Sequence, residues 1–156
     1  LSRTFFIARS SLFASSAASS SSRFLSTEKT PFEQIGGEAA VSAAVDLFYK
    51  KMMGDDRVNY FFANTDMAKQ HEHQKQFITM ALGGPNDYSG RDMVEAHQSL
   101  VDDKGLNDTH FDITAGHLKE TLEELGVADE LVGTVMGAIE GLRESVLCRV
   151  EFSDDE

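Results

Sequence analysis

The 156-residue chain carries 14 basic and 26 acidic side chains, a net charge of −12 at pH 7, and one cysteine, Cys148. An acidic balance argues against nucleic acid and anionic membranes as partners, and a single cysteine excludes an internal disulfide framework. The length fits one domain.

Residues 1–27 have the composition of a targeting leader. They contain three arginines, ten serines and no acidic residue, and their apolar runs are too short to span a membrane. The run Arg23-Phe24-Leu25-Ser26 is similar to the cleavage context of mitochondrial presequences. We therefore expect a mitochondrial transit peptide, with a plastid address or an untargeted disordered tail as alternatives. Beyond residue 28, 11 basic and 25 acidic side chains remain, a net charge near −14.

The rest of the chain has helical periodicity, and no segment alternates as a strand would. A first long helix follows Gly36-Gly37 and ends at Gly54, and its inner face comprises Val41, Ala44, Val45, Phe48, Tyr49 and Met52. A short turn of helix from Arg57 to Phe62 comes next. Asp66 then caps a helix that begins at Met67 and ends at Gly83-Gly84-Pro85.

Three more helices complete the domain. The first is short, the second is capped by Asn107 and closed by Gly126, and the third runs from Ala128 to about Leu147. We expect His110 and His117 on the surface. The inner faces of these three helices comprise, in chain order, Met93, His97, Leu100 and Val101; Phe111, Ala115, Leu118, Leu122 and Leu125; and Leu131, Val135, Ile139, Leu142 and Val146. The sequence thus predicts an all-α domain over residues 31–148, with four main and two short helices, followed by an acidic tail at 149–156.

The helix that begins at Met67 has an unusual inner face. Gln70 and Gln74 share the stripe of Ile78, and His73 lies at its edge. Burying an unpaired amide costs about 1–3 kcal/mol. Tyr49 and His97 also point inward from other helices, as satisfied core residues often do. A polar or metal-bearing ligand in the middle of the domain explains all these inward polar groups at once.

Other chemistries fit the sequence less well. Gln-His-Glu-His-Gln lacks the spacing of a zinc-protease helix, and neither a phosphate-binding glycine loop nor a nucleophile elbow is present. The segments that carry a specific resemblance are PFEQIGGEAAVSAAVDLFYKKMM, DDRVNYFFANTDMAKQHEHQKQF, ALGGPNDYSGRDMVEAH and GLNDTHFDITAGHLKETLEELGV. Together they resemble group I truncated haemoglobins, most closely the cyanobacterial and algal branch.

The resemblance implies a two-over-two helical sandwich around haem b. It implies that His97 is the proximal iron ligand, and that Tyr49, Gln70 and Gln74 are distal hydrogen-bonding groups toward bound O2. Phe62 would pack on the porphyrin face. His73 matches a histidine that binds the iron when no gas is present, although a histidine at a helix edge can equally pair with a haem propionate.

Some relatives attach haem covalently through a histidine in the last helix. The matching segment here, GAIEGLRESVLCRV, has no histidine, so we expect non-covalent haem. The resemblance implies reversible binding of O2, NO and CO, with no catalytic residue assigned. NO dioxygenation with a separate reductase and redox or gas sensing are the alternatives. We expect a monomer.

Overall fold

The computed structural model describes residues 28–85 and 90–150, with only the backbone described for residues 90–92. In this part of the chain the helices are α1 (Pro31–Ile35), α2 (Gly37–Met53), a 3₁₀ helix (Asn59–Phe62), α3 (Met67–Ala81), α4 (Gly90–Lys104), α5 (Asp108–Glu124), α6 (Asp129–Glu140) and α7 (Arg143–Val146). The all-α prediction is confirmed, since no described residue lies in a strand. Among these residues no helix is both long and apolar enough to cross a membrane. The predicted leader and residues 151–156 of the predicted tail lie outside the described residues.

The caps predicted for α3 and α5 are confirmed. Oδ1 of Asp66 accepts the N–H of Ala68 at 3.2 Å, and Oδ1 of Asn107 accepts that of Thr109 at 3.0 Å. Each side-chain oxygen satisfies a first-turn N–H that has no partner within its helix. Beyond the end of α5, Gly126 has a φ of 76°, a left-handed conformation that glycine adopts without steric cost.

The core lies around α2. This helix packs on α3 and α5, α5 packs on α6, and α6 packs on α3, which gives two layers of two helices. All six side chains predicted for the inner face of α2 are buried, because their spacing places them on the stripe between α3 and α5. The short helix α7 packs instead on α4.

The predicted last helix is broken into two. Its chain turns at Gly141 and Leu142 between α6 and α7, where we expected a continuous helix. After the turn, the guanidinium of Arg143 lies 2.6 Å from Oδ1 of Asp112 and 3.2 Å from Oδ1 of Asp108, both on α5. These distant partners stabilise the turn, and the local pattern does not reveal them.

Four smaller expectations are corrected. The helix α4 is 15 residues long and so is not short, and α1 is an additional helix that the sequence pattern did not predict. Leu125 is 44% exposed because it follows the last turn of α5, and Val127 packs on the core beyond it. In α6 the buried position is Val132, whereas Leu131 is half-buried.

Candidate functional site

A cavity of about 1180 Å³ that is partly open to solvent lies between the long helices. Ligand sites for small molecules usually measure about 300–1000 Å³, so this cavity has room for a large ligand. The apolar part of its lining includes Phe77, Met93, Leu100, Leu106 and Leu118. The structure brings all six predicted site residues to it: Tyr49, Phe62, Gln70, His73, Gln74 and His97.

On the wall formed by α2 and α3, three polar side chains meet. Nε2 of Gln70 donates to the hydroxyl of Tyr49 at 3.0 Å, and that hydroxyl donates to Oε1 of Gln74 at 3.5 Å. We call Tyr49, Gln70 and Gln74 the distal cage. The bond to Gln74 is long and therefore weak. Both inward glutamines therefore have the Tyr49 hydroxyl as a hydrogen-bond partner, as the cost of burying an unpaired amide requires.

Burial sets the protonation state of the cage. The side chain of Tyr49 is almost fully buried, and desolvation raises its pKa to about 12, against a smaller opposing effect of the hydrogen bond from Gln70. At neutral pH the hydroxyl therefore keeps its proton and remains a hydrogen-bond donor.

The wall formed by α4 presents His97. Its Nδ1 lies 2.8 Å from the carbonyl oxygen of Met93, one turn earlier in the same helix, and donates to it. This bond fixes the ring orientation and leaves Nε2 as the basic nitrogen toward the cavity. Burial also lowers the pKa of His97, which favours the neutral imidazole that a metal needs as ligand.

Phe62 and His73 complete the predicted set. Phe62 packs its ring on that of Tyr49, edge to face, with centroids 5.6 Å apart and planes at 85°. His73 is exposed, yet it contributes to the cavity lining. It therefore lies at the rim of the cavity, where its ring is accessible from both solvent and the interior.

Lys104 is a lining residue that the sequence pattern did not reveal. It lies in the last turn of α4, and its Nζ donates to the carbonyl oxygen of Phe61 in the 3₁₀ helix at 3.0 Å. The bond joins the wall that carries His97 to the segment that carries Phe62. Its partners are 43 residues apart, so no local pattern predicts it.

The expectation that His110 and His117 are surface residues is corrected for His117, whereas His110 is half-buried. Nε2 of His117 lies 2.8 Å from Oδ2 of Asp55, and both side chains are largely buried. The ring of His110 lies edge-on to Phe61, with its Nε2 3.2 Å from the hydroxyl of Tyr60. Both rings pack against the segment that follows α2, which folds back over α5.

His71 is another residue that the sequence analysis missed. Its imidazole stacks on the ring of Tyr49, with centroids 4.6 Å apart and planes at 16°. The available indication was its spacing, since residues 71, 74 and 78 share one face of α3. Because Gln70, Glu72 and His73 around it are also polar, the sequence does not single out His71.

Residues 30–148 match the family described as bacterial-like globin. Over 120 residues the chain is 47% identical to a group 1 truncated hemoglobin of Tetrahymena thermophila, an alignment that covers 77% of this chain and 96% of that protein. The chain belongs to the group 1 truncated haemoglobin family. It is also 51% identical over 106 residues to such a protein of Synechocystis, covering 68% of this chain and 86% of the relative.

Solved structures agree with this assignment. The fold of this truncated haemoglobin resembles that of the 2/2 hemoglobin from Synechococcus, with a TM-score of 0.74, 48% identity, and coverage of 78% of this chain and all of that one. That structure contains covalently attached heme. The truncated hemoglobin of Tetrahymena pyriformis, in its Fe(III) form, has a TM-score of 0.69 at 46% identity and covers 76% of this chain and 98% of its own.

Variants of the Tetrahymena pyriformis protein provide a comparison of spacing. Its solved structures include replacements of one tyrosine and of two glutamines, which follow that tyrosine by 21 and 25 residues. In this truncated haemoglobin Gln70 and Gln74 follow Tyr49 by 21 and 25 residues.

Haem is the cofactor that this family membership implies, and the residues fit it. The cavity has the volume and the apolar walls for a porphyrin, and His97 presents an oriented, neutral imidazole to it. The cage side of the cavity belongs to α2 and α3, while the imidazole belongs to α4. A flat macrocycle between these walls would have one coordinating face and one hydrogen-bonding face.

Proposed function

We propose that this truncated haemoglobin binds O2 and other diatomic gases reversibly, with His97 as the protein ligand of the haem iron. Ferrous haem supplies a metal centre that binds such gases. The observation that carries the proposal is the distal cage, in which a buried, protonated Tyr49 hydroxyl and the amide of Gln70 lie 3.0 Å apart in the cavity that His97 also lines.

The chain's own residues divide the work between two walls. The carbonyl oxygen of Met93 fixes the ring of His97, which lines the cavity, and leaves Nε2 as its basic nitrogen. Tyr49 and Gln70 are donors in a site of low polarity, where a hydrogen bond to a partly negative gas is stronger than in water. Phe62 and apolar lining residues lie beside these donors. The site therefore favours a polarised gas such as O2 over CO.

Replacing Tyr49 by Phe tests the proposal. Because a hydrogen bond to a charged group contributes about 1.5–3 kcal/mol, we expect the O2 dissociation rate to rise by roughly 10- to 100-fold and that of CO far less. Stopped-flow ligand replacement measures both rates. An equal change in the two rates would show that Tyr49 does not act as a donor to the gas.

The reaction of the O2-loaded protein with NO distinguishes a reversible gas-binding protein from an NO dioxygenase. A single turnover of the O2-loaded protein with NO distinguishes them, because NO dioxygenation yields nitrate and leaves the haem iron ferric. Stoichiometric nitrate within the mixing time would add this activity to gas binding, and a separate reductase would then have to restore the ferrous state. Unchanged O2-loaded protein would restrict the function to reversible binding.

We also propose that the haem is bound without a covalent link to a histidine. Of the five histidines, all of them described, His73 and His97 line the cavity, whereas His71 is held by Asp46, His117 by Asp55 and His110 by Tyr60. No histidine follows residue 117. Acidified butanone should therefore extract the haem completely, and haem retained on the polypeptide would contradict this.

A further inference from the structure

Three other rings contact the ring of Tyr49, and Phe48 meets it edge-on with centroids 5.1 Å apart. The imidazole of His71 stacks on it, with centroids 4.6 Å apart and planes at 16°, and Phe62 meets it edge-on at 5.6 Å. Hydrogen bonds from the distal cage fix only the hydroxyl at the end of the ring. The orientation of the ring itself depends on these three contacts, of which His71 makes the only stacked one.

His71 is in turn held by α2. Its Nδ1 lies 3.1 Å from Oδ1 of Asp46, three residues before Tyr49 on the same helix. Positions three apart share a helix face, so Asp46 and Tyr49 present one continuous surface to His71. The imidazole is 29% exposed, which places it at the outer side of the Tyr49 ring.

His71 does not line the cavity, although the residues around it in the sequence do. Any effect that it has on a gas must therefore pass through Tyr49. The hydroxyl of a tyrosine lies at the far end of a rigid ring, so a small tilt of the ring moves this donor away from its acceptor. Hydrogen bonds weaken steeply as their angle and distance depart from the optimum.

We propose that His71, anchored by Asp46, is a positioning residue that holds the Tyr49 ring at the angle from which its hydroxyl reaches the bound gas. This inference rests on the proposed function, since it needs Tyr49 as a donor. It adds to the distal cage a histidine that touches neither haem nor gas and sets how well the cage discriminates between O2 and CO.

The experiment is a cycle of His71→Ala, Tyr49→Phe and the double variant in the haem-loaded protein. In His71→Ala we expect the O2 dissociation rate to rise about three- to tenfold, the range that loss of one aromatic stacking pair implies, with less than a twofold change for CO. In the Tyr49→Phe background the same change should have no further effect, because the residue acts through the hydroxyl. An effect of His71→Ala that persists in that background would overturn the proposal.

Two further measurements separate positioning from general destabilisation. His71→Phe keeps a flat ring against Tyr49 but loses the hydrogen bond to Asp46, so it should restore the O2 rate in part, which a role for the imidazole nitrogens alone would not allow. The C–O stretching frequency of the CO-loaded protein should rise in His71→Ala, since a donor near the gas lowers it, and should return part of the way in His71→Phe. Failure of both recoveries would count against the proposal.

The failure of this inference is distinguishable from that of the proposed function. If Tyr49→Phe raises the O2 rate and His71→Ala leaves it unchanged, the positioning role is wrong and the donor role of Tyr49 stands. If neither variant changes the O2 rate, the proposed role of the distal cage is itself wrong, and the positioning role with it.

Discussion

Nε2 of His117 lies 2.8 Å from Oδ2 of Asp55, and this contact joins the second residue after α2 to the middle of α5. The two side chains are only 16% and 12% exposed. Arg57 closes the other side of the carboxylate, with its backbone N–H 3.0 Å from Oδ1 and its guanidinium on both oxygens. The contact fixes the segment that leads to the 3₁₀ helix and Phe62.

Asp55 should make the folded protein sensitive to acid. Hydrogen bonds from Arg57, and to a lesser extent from His117, hold the pKa of Asp55 well below its usual range. A group whose pKa is lower in the folded state stabilises the fold above its unfolded pKa, about 3.9 for Asp, and loses that contribution as the pH falls toward the folded value. Asp55→Asn should therefore be less stable at pH 7 and should lose less further stability below pH 4. Urea unfolding at pH 7 and pH 3.5 measures this, and equal acid losses in both proteins would contradict it.

Gly84 is required for close packing at the end of α3. A Cβ built there would lie 2.6 Å from Cγ2 of Thr79 and 3.0 Å from the ring of Phe32. Overpacking of this kind costs about 1–3 kcal/mol, so Gly84→Ala should lower the urea midpoint. The matched control is Gly133→Ala in α6, where no atom lies within 4 Å of the added Cβ and alanine should stabilise the helix by about 0.5–1 kcal/mol. A stabilised Gly84→Ala would show that this junction is not tightly packed.

His97 should be essential for holding haem. His97→Gly removes the imidazole, and we expect the Soret band of the purified protein to be lost when haem is supplied. Imidazole added to the solution should restore it, because the ligand and not the fold is missing. The control is His110→Gln, outside the cavity, since glutamine at the third position of α5 can also cap the helix. A normal Soret band in His97→Gly would exclude His97 as the proximal ligand.

We expect His73 to occupy the distal site when gas is absent. Its side chain lies at the cavity rim, and if the ring turns inward to bind the haem iron, the ferrous spectrum should show sharp low-spin bands. His73→Leu should replace them with a broad high-spin spectrum, whereas the exposed neighbour Glu72→Leu should leave them unchanged. A high-spin spectrum of the unmodified protein would mean that His73 stays at the rim. Release of this histidine by a gas is also the change on which a sensing role would depend.

Local patterns predicted much of the fold. The inner face of α2 and the caps at Asp66 and Asn107 follow from residues within a few positions of one another, and all were confirmed. The break between α6 and α7 was missed because Leu142 and Val146 continue the helical spacing of Ile139. The turn depends on Arg143 and its partners on α5, which are 31 and 35 residues away.

In the site, too, local patterns revealed single residues but not contacts between distant segments. Tyr49, Gln70, Gln74 and His97 were found because polar groups on an apolar helix face need an explanation from the interior. The contact between His71 and Asp46 spans 25 residues, and that between His117 and Asp55 spans 62. The sequence pattern around these residues does not distinguish them from solvent-exposed polar residues, because each contact forms only when distant segments pack together.

The Tyr49 hydroxyl has one hydrogen, and in this structure it is directed at Gln74. A gas that accepts that hydrogen must take it from the glutamine, so each binding event is an exchange of one acceptor for another. Because the existing bond to Gln74 is 3.5 Å long and therefore weak, breaking it costs little free energy. Strengthening the contact to Gln74 would therefore weaken the hold on O2 without altering any group that touches the iron, and the length of a single resting hydrogen bond becomes a means of tuning gas affinity.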